Sequence, residues 1–342
     1  MKFVLTADIH LSGYGQDQLD DELGLPERLV SILRTLEEMT DYCYKHDISH
    51  FVIAGDLLHG KSIIYAVAQD LILDFFKRNK DINFIVIDGN HDLSGRGEKV
   101  VSALKPLENI SNVSWIPFYK TSRVGDILFV PYSSNLVSEV KNNSSKILIS
   151  HFGLNEGILN SGISIIADVG LRDLIGKYQL VLLGHYHKPQ EIIQDSISLY
   201  YVGSPIQLDW GEAGDEKRFL VVDTETLEVK SIPTQNYKKF IEMKLTEENR
   251  RHVIEKANEY TAEGHHVKII FDDPADLDDL PENVQIVDRT QRDITNRGIT
   301  QSMSELDKLK RYLEIKEIPE NEYNDYLNVV TKIIEEFGGE TI

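Results

Sequence analysis

The sequence predicts an α/β fold with a largely parallel sheet, followed by a small α/β cap and C-terminal helices. Three observations carry that expectation. Short, β-branched apolar runs without alternation recur through residues 1–232, the pattern of strands buried on both faces. Segments with apolar residues at helical spacing separate them, which implies strand–helix–strand units with right-handed crossovers. Polar signatures directly follow several runs, and functional groups in open α/β sheets collect beyond the carboxyl ends of the strands.

In chain order, the strand-like runs fall at residues 3–6, 51–54, 84–87, 127–130, 147–149, 180–183, 199–202 and 219–222. Between the first two, residues 26–46 place Leu29, Leu33, Leu36 and Cys43 at helical spacing behind Pro26, a residue suited to a helix start. A second helix is expected over about 63–78. Beyond Pro233 the pattern shifts to a strand (240–245), a helix (247–263) and another strand (267–271), closed by an acidic turn at Asp272-Asp273-Pro274. After about Ser302 two amphipathic helices remain, joined by Glu317-Ile318-Pro319. The expected domains are therefore 1–232, a cap over 236–300 and a helical segment over 302–342. A length of 342 residues agrees with more than one module, since single cores stop growing near about 250–300 residues.

Composition sets further bounds. Hydrophobic residues make up 41% and charged residues 27% of the chain, values ordinary for a globular protein and unlike disordered or fibrous sequences. Asp8 lies too close to Met1 for a signal peptide to precede it, and no apolar run reaches the length of a membrane span. The single cysteine, Cys43, has no intrachain partner and reads as a small buried apolar side chain, consistent with a reducing cytoplasm. The expected location is cytoplasmic, or the host cytoplasm for a phage-encoded protein. A formal charge of −20 disfavours a simple nucleic-acid-binding surface, because affinity for a polyanion normally comes from clustered Lys and Arg. Bound metals or a partner's basic track would relieve that tension.

Five polar signatures carry the chemistry: Asp8-Ile9-His10, Gly55-Asp56, Gly89-Asn90-His91-Asp92, a lone His151, and Gly184-His185-Tyr186-His187. Asp8 and His10 are two apart at a strand end, so both can face one cation. Asp56 offers two carboxylate oxygens, one for each of two cations. Asn90 offers a neutral carbonyl oxygen, and His151, His185 and His187 offer imidazole nitrogen. Mixed oxygen and nitrogen ligation suits Mn²⁺, Fe²⁺ or Zn²⁺ better than Mg²⁺ or Ca²⁺, and two such ions side by side suit hydrolysis of a phosphate ester. Taken singly, Asp-x-His and His151 are weak signals, since a strand-end histidine is commonly a hydrogen-bonded turn residue. Their joint order after buried-strand patterns gives the set its weight.

This series resembles the calcineurin-like metallophosphoesterase superfamily over about residues 1–232. The resemblance implies a sandwich with helices flanking the sheets. It also implies one metal held by Asp8, His10, Asp56 and His187, and a second held by Asp56, Asn90, His151 and His185. His91 would then face the phosphate and protonate the leaving oxygen, with Asp92 orienting it. Gly55-Asp56-Leu57-Leu58-His59 and Gly203-Ser204-Pro205 are similar to the SbcD branch, the nuclease subunit of double-strand-break repair and recombination complexes. That likeness implies a Mn²⁺-dependent duplex exonuclease and single-strand endonuclease, with His59 placing the DNA phosphate. It further implies a homodimer within a heterotetramer, built on an SbcC-type SMC-like ATPase that binds the C-terminal helices.

The basic residues nearest the motifs, Lys61, Arg96, Lys99 and Lys188, are the candidate DNA contacts, though each could equally be solvated surface charge. Leu306, Leu309 and Leu313, then Tyr323, Leu327, Val330, Ile334 and Phe337, form apolar stripes suited to a partner's coiled coil. A hairpin folded back on the cap would bury the same stripes. Two other functions stay open at this point. A small-molecule or cyclic-nucleotide metallophosphodiesterase would explain the acidity but not the cap or terminal helices. A non-catalytic scaffold on the same fold would be expected to lack some of the ligands that are all present.

Overall fold

The computed structural model describes residues 1–12, 19–20, 23–60, 64–95, 99–158, 162, 166–272, 277, 279–289, 305–316, 318–319, 323 and 326–327. By its internal contacts the chain divides into two units. One comprises Met1–Glu242 with Lys256–Lys268 and Pro281–Val284; the other comprises Met243–Glu255, Ile269–Leu280 and Gln285–Ile342.

Two six-stranded sheets organise the first unit. The first is built on β1 (Lys2–Thr6), β2 (His50–Ala54), β3 (Asn83–Ile87) and β6 (Val113–Ile116), all parallel, and is extended by antiparallel β13 (Arg218–Asp223) and β14 (Val229–Pro233). The second is built on parallel β8 (Ile127–Val130), β9 (Ile147–His151), β10 (Leu180–Gly184) and β12 (Ile197–Tyr201). Antiparallel β7 (Ser122–Val124) and β11 (Gln190–Gln194) form its edges. A short ribbon, β4 (Leu93–Ser94) with β5 (Val101–Ser102), follows the third polar signature. The expectation of one largely parallel sheet thus holds only for the centres. The edge strands are half exposed and polar, so they leave no apolar run in the sequence to mark them.

The two-residue period of a strand explains why the central runs do not alternate. Phe3, Leu5, Val52, Ala54, Ile85 and Ile87 share one cluster with Phe129, Ile147, Ile149, Leu180 and Leu182, the core between the two sheets. Their neighbours Val4, Phe51, Ile53, Phe84 and Val86 join a second cluster with α1 (Glu27–Lys45) and α2 (Ala66–Arg78). On the far side, Leu128, Leu148, Val181 and Leu183 pack with α3 (Leu136–Asn142) and α4 (Leu171–Leu174). Helices therefore flank a two-sheet sandwich, as expected.

Helix α1 buries Leu29, Ile32, Leu33, Leu36, Met39 and Cys43, one stripe at spacings of three and four. Burial holds the Cys43 thiol up at about 12, so it stays protonated and inert. The helix stops where Asp47 takes a left-handed conformation (φ 53°) and the Ile48 amide donates to the Cys43 carbonyl at 2.9 Å.

A smaller sheet, in the order β15 (Phe240–Lys244), β16 (His266–Phe271) and β17 (Gln285–Asp288), accompanies α5 (Arg250–Ala262). In the second unit, α6 (Glu305–Ile315) buries Leu313 while Leu309 is half-buried. No helix of the described residues is long and apolar enough to cross a membrane.

Phe84 is fully buried at the centre of an aromatic cluster, with ring centroids 5.3 Å from Phe51, 5.7 Å from Phe75 and 4.9 Å from Phe76. Phe84→Ala should cost about 3–5 kcal/mol, read as a lower urea midpoint with an unchanged slope.

Candidate metal centre

Each polar signature begins where a parallel strand of the sandwich ends. Asp8 and His10 follow β1, Asp56 follows β2, Asn90 and His91 follow β3, His151 ends β9, and His185 and His187 follow β10. The chain keeps the β1–β2 partnership going past the strands, with the Asp8 amide donating to the Gly55 carbonyl (3.1 Å) and the His10 amide to the Asp56 carbonyl (3.0 Å). Side chains reach the site because the backbone turns sharply. Asp8 (φ 52°), His10 (φ 50°), Asp56 (φ 52°) and His185 (φ 101°) all lie in the left-handed region that residues with a Cβ seldom adopt. Four such residues in one place mark stored strain, which a surrounding structure must hold.

All seven expected ligands converge. His10 Nε2 lies 3.0 Å from His187 Nε2 and 3.6 Å from Asp56 Oδ2. His151 Nε2 lies 3.3 Å from Asp56 Oδ2 and 3.9 Å from Asp8 Oδ1. Asn90 Oδ1 is 3.1 Å from both His151 Nε2 and His185 Nδ1. Among the described residues, Asp8, His10 and His187 form one group with cation-holding spacing, and Asp8, Asp56 and His151 another. A third group, His10, His59 and His91, adjoins them.

The donor set fits divalent cations. His151 Nδ1 sits 2.8 Å from the Ala54 carbonyl oxygen, which only accepts, so that nitrogen carries the proton. A neutral His151 then turns the lone pair of Nε2 toward Asn90 Oδ1 and two carboxylates, a cluster of acceptors with nothing to donate. A positive charge has to sit among them. Without metal, protonation of His151 supplies it. Burial alone would lower the His151 pKa, but Asp56 and Asp8 raise it to about 9. Asp56 is correspondingly held below the usual carboxylate range, His151 and His10 overcoming the effect of burial. Burial keeps His10 and His185 neutral, His185 being lowered to about 3.

The remaining expected residues are placed as follows. His59 Nδ1 lies 3.2 Å from His10 Nδ1, and its ring stacks near that of His91 at a centroid distance of 5.6 Å. Asp92, expected to orient His91, does not touch its ring nitrogens. Its oxygens accept from the Leu58 amide (2.9 Å) and the Gly89 amide (2.8 Å), tying the second signature to the third, while His91 Nδ1 donates to the His59 carbonyl (3.0 Å). Two strand-end loops needed bracing, and a buried carboxylate does so best through backbone amides. Lys188 directly follows His187 and is half-buried, and Lys99 is exposed on the loop before β5. Lys61 and Arg96 lie outside the described residues, as do Val330, Ile334, Phe337 and the side chain of Leu306. Tyr323 and Leu327 are helical and half-buried.

Three supporting residues were not anticipated. Asp88 accepts from Ser102 Oγ (2.7 Å), Trp115 Nε1 (3.0 Å) and the Phe118 amide (2.8 Å), anchoring the loop that carries Asn90 and His91; burial raises its carboxyl to about 6. Glu212 accepts from His187 Nδ1 at 2.8 Å and pairs with the fully buried Lys217 at 2.7 Å.

Comparison with known proteins agrees with this geometry. The family model for calcineurin-like phosphoesterases matches residues 1–189, more than half of the chain. The chain belongs to the calcineurin-like phosphoesterase family. Membership makes this phosphoesterase a metal-dependent hydrolase of phosphate esters. It is similar to exonuclease subunit 1 of Enterobacteria phage T4, at 23% identity over 211 residues that span 58% of this chain and 60% of the phage protein. Solved structures resembling it include an archaeal phosphodiesterase (16% identity, 68% of this chain and 99% of that one, TM-score 0.37). Another is a Pseudomonas putida nuclease (15% identity, 67% of this chain and 87% of that one, TM-score 0.32).

Close backbone approach within this phosphoesterase leads to a test. A Cβ at Gly89 would collide with Asp56, falling 2.9 Å from Cγ and closer still to Oδ1 and the main-chain nitrogen. Gly89→Ala should therefore push Asp56 out of place, costing about 1–3 kcal/mol of strain and weakening divalent-cation binding by at least about tenfold in a calorimetric titration.

Proposed function

We propose that the chain is a two-metal DNA nuclease subunit, cutting duplex ends as an exonuclease and single strands as an endonuclease, with Mn²⁺ as the working ion. The observation that carries this reading is the convergence of Asp8, His10, Asp56, Asn90, His151, His185 and His187 on one cluster of lone pairs. In the proposed assignment Asp8, His10, Asp56 and His187 hold one ion, and Asp56, Asn90, His151 and His185 the other. Asp56 Oδ2, within 3.6 Å of both His10 Nε2 and His151 Nε2, stands where a shared ligand belongs. Bound divalent cations would activate water and offset the charge that builds on the phosphate during in-line displacement.

The chain's own residues do the rest. His91 donates its Nδ1 proton to the His59 carbonyl, which leaves Nε2 to face the leaving oxygen; in the imidazolium form, with a second proton on Nε2, it would protonate that oxygen and return to the neutral Nδ1–H form. His59 lines the same edge of the site through its ring and is suited to placing the phosphate. Lys61, Arg96, Lys99 and Lys188 are the proposed contacts to flanking phosphates. The likeness to a phage exonuclease subunit supports a partner, which we take to be an SbcC-type SMC-like ATPase docked on the C-terminal helices of a homodimer. Leu313 is already buried within this chain, so docking rests on the remainder of the stripe.

The net charge of −20 favours a second reading, a small-molecule phosphodiesterase that has no polyanion to attract. Incubation with Mn²⁺ and linear duplex DNA, beside bis-p-nitrophenyl phosphate, separates the two. The nuclease reading expects both substrates to be cut, and cleavage of the small ester alone would overturn it.

Asp56→Asn should abolish hydrolysis of every substrate and lower the metal content below the two ions per chain expected of the wild type in elemental analysis. His91→Ala should keep both ions and lose about 10²–10⁴-fold in turnover. Loss of metal in that variant would show that ligand and acid have been wrongly divided. A chain ending at Thr300 should still cut bis-p-nitrophenyl phosphate but fail to co-purify with the ATPase; full co-purification would remove the docking assignment.

A further inference from the structure

Glu212 lies outside the five signatures, 25 residues beyond His187 in a short 3-10 helix, Trp210–Glu212. It is buried, and both oxygens of its carboxylate accept hydrogen bonds. Oε1 accepts from His187 Nδ1 (2.8 Å); Oε2 accepts from Lys217 Nζ (2.7 Å), the Leu208 amide (3.0 Å) and Ser204 Oγ (3.1 Å). Lys217, fully buried, also donates to the His187 carbonyl and to Ser204 Oγ, both at 3.0 Å. One ion pair thus grips His187 at both its ring and its main chain.

A buried ion pair is a poor device for stability alone, because desolvating both charges offsets most of their attraction and an apolar pair of the same volume commonly serves as well. Its value here lies in what it does to the imidazole. A carboxylate only accepts, so Nδ1 of His187 must carry the proton and Nε2 must present its lone pair. That lone pair faces His10 Nε2 at 3.0 Å, inside the group formed with Asp8. A negative charge behind the ring also makes Nε2 a stronger donor, the usual effect of a carboxylate behind a metal-binding histidine. Among the described residues no such carboxylate stands behind the other two: His151 Nδ1 is held by the neutral Ala54 carbonyl, and His185 turns its own Nδ1 toward Asn90.

We infer that Glu212, held in place by Lys217, is a positioning residue that fixes the tautomer and donor strength of His187 and so sets how tightly the ion held by Asp8, His10 and His187 is kept. The inference rests on the two-metal reading proposed above and goes beyond it by making the sites unequal in their support.

The test is a Mn²⁺ titration of the metal-free full chain, followed by calorimetry and by the signal of free Mn²⁺ in electron paramagnetic resonance. ¹⁵N-imidazole NMR of the metal-free protein reports the His187 tautomer alongside. Wild type should bind two ions and show His187 protonated at Nδ1. Glu212→Gln should weaken one ion by about 10- to 100-fold, leave the other unchanged and give a mixed tautomer. Because that variant strands the Lys217 charge, Glu212→Gln/Lys217→Met is made beside it, and should regain thermal stability without regaining affinity. Two ions bound as tightly as in wild type by either variant would overturn the inference, as would a double variant that restores affinity together with stability. A wild type that binds no Mn²⁺ would instead overturn the two-metal reading itself.

Discussion

Two buried carboxylates, Asp8 and Asp56, approach the same imidazole nitrogen of His151 from different strand ends, and the folded chain must hold them there against their mutual repulsion. Neither can retreat to water. Burial raises the Asp8 carboxyl and keeps His10 neutral, both because the charged form is disfavoured away from water. Much of the surrounding structure can be understood as the means of keeping that arrangement. Amides are spent on it: His185 donates to both Asp8 oxygens at 3.0 Å, and His91 to Asp56 Oδ1 at 2.8 Å. Asp92 and Asp88 then anchor the loops that supply those amides.

Close approach of backbone is the second requirement. Gly184 leaves room where a Cβ would fall 2.7 Å from His151 Nδ1 and 2.9 Å from the Ala7 side chain. The left-handed conformations of Asp8, His10, Asp56 and His185 are unfavourable singly, and they persist because strands on either side are locked by two continuous cores. The sandwich therefore does more than carry the site. Its rigidity stores the strain that aims four side chains inward.

How much of this was legible in the sequence depended on which atoms carry the information. Central strands and the long helices announced themselves because burial on both faces, or on one stripe, restricts residue type; edge strands such as β11 and β14 did not, since solvent permits nearly anything there. The seven converging residues could be picked out by type and spacing. Glu212 and Lys217 could not, because Gly211-Glu212-Ala213-Gly214-Asp215-Glu216-Lys217 looks like a solvated charged loop. Only the fold shows that one carboxylate and one ammonium of that run are buried while their neighbours are not. The partner of His91 was equally hidden, since a main-chain carbonyl leaves no mark on residue identity.

The overall charge of −20 takes on a different meaning beside this geometry. The acidic residues that matter most for the substrate are the two at the centre, and they repel phosphate as long as the site holds only protons. With divalent cations held as proposed, two negative charges face four positive ones and the local field reverses sign. With a formal charge of −20 over the chain, attraction for flanking phosphates is left to the few basic residues proposed beside the site, such as Lys99 and Lys188. Attraction for the substrate is then conditional on metal loading, and the ligands that keep the metal also decide whether a polyanion is admitted at all.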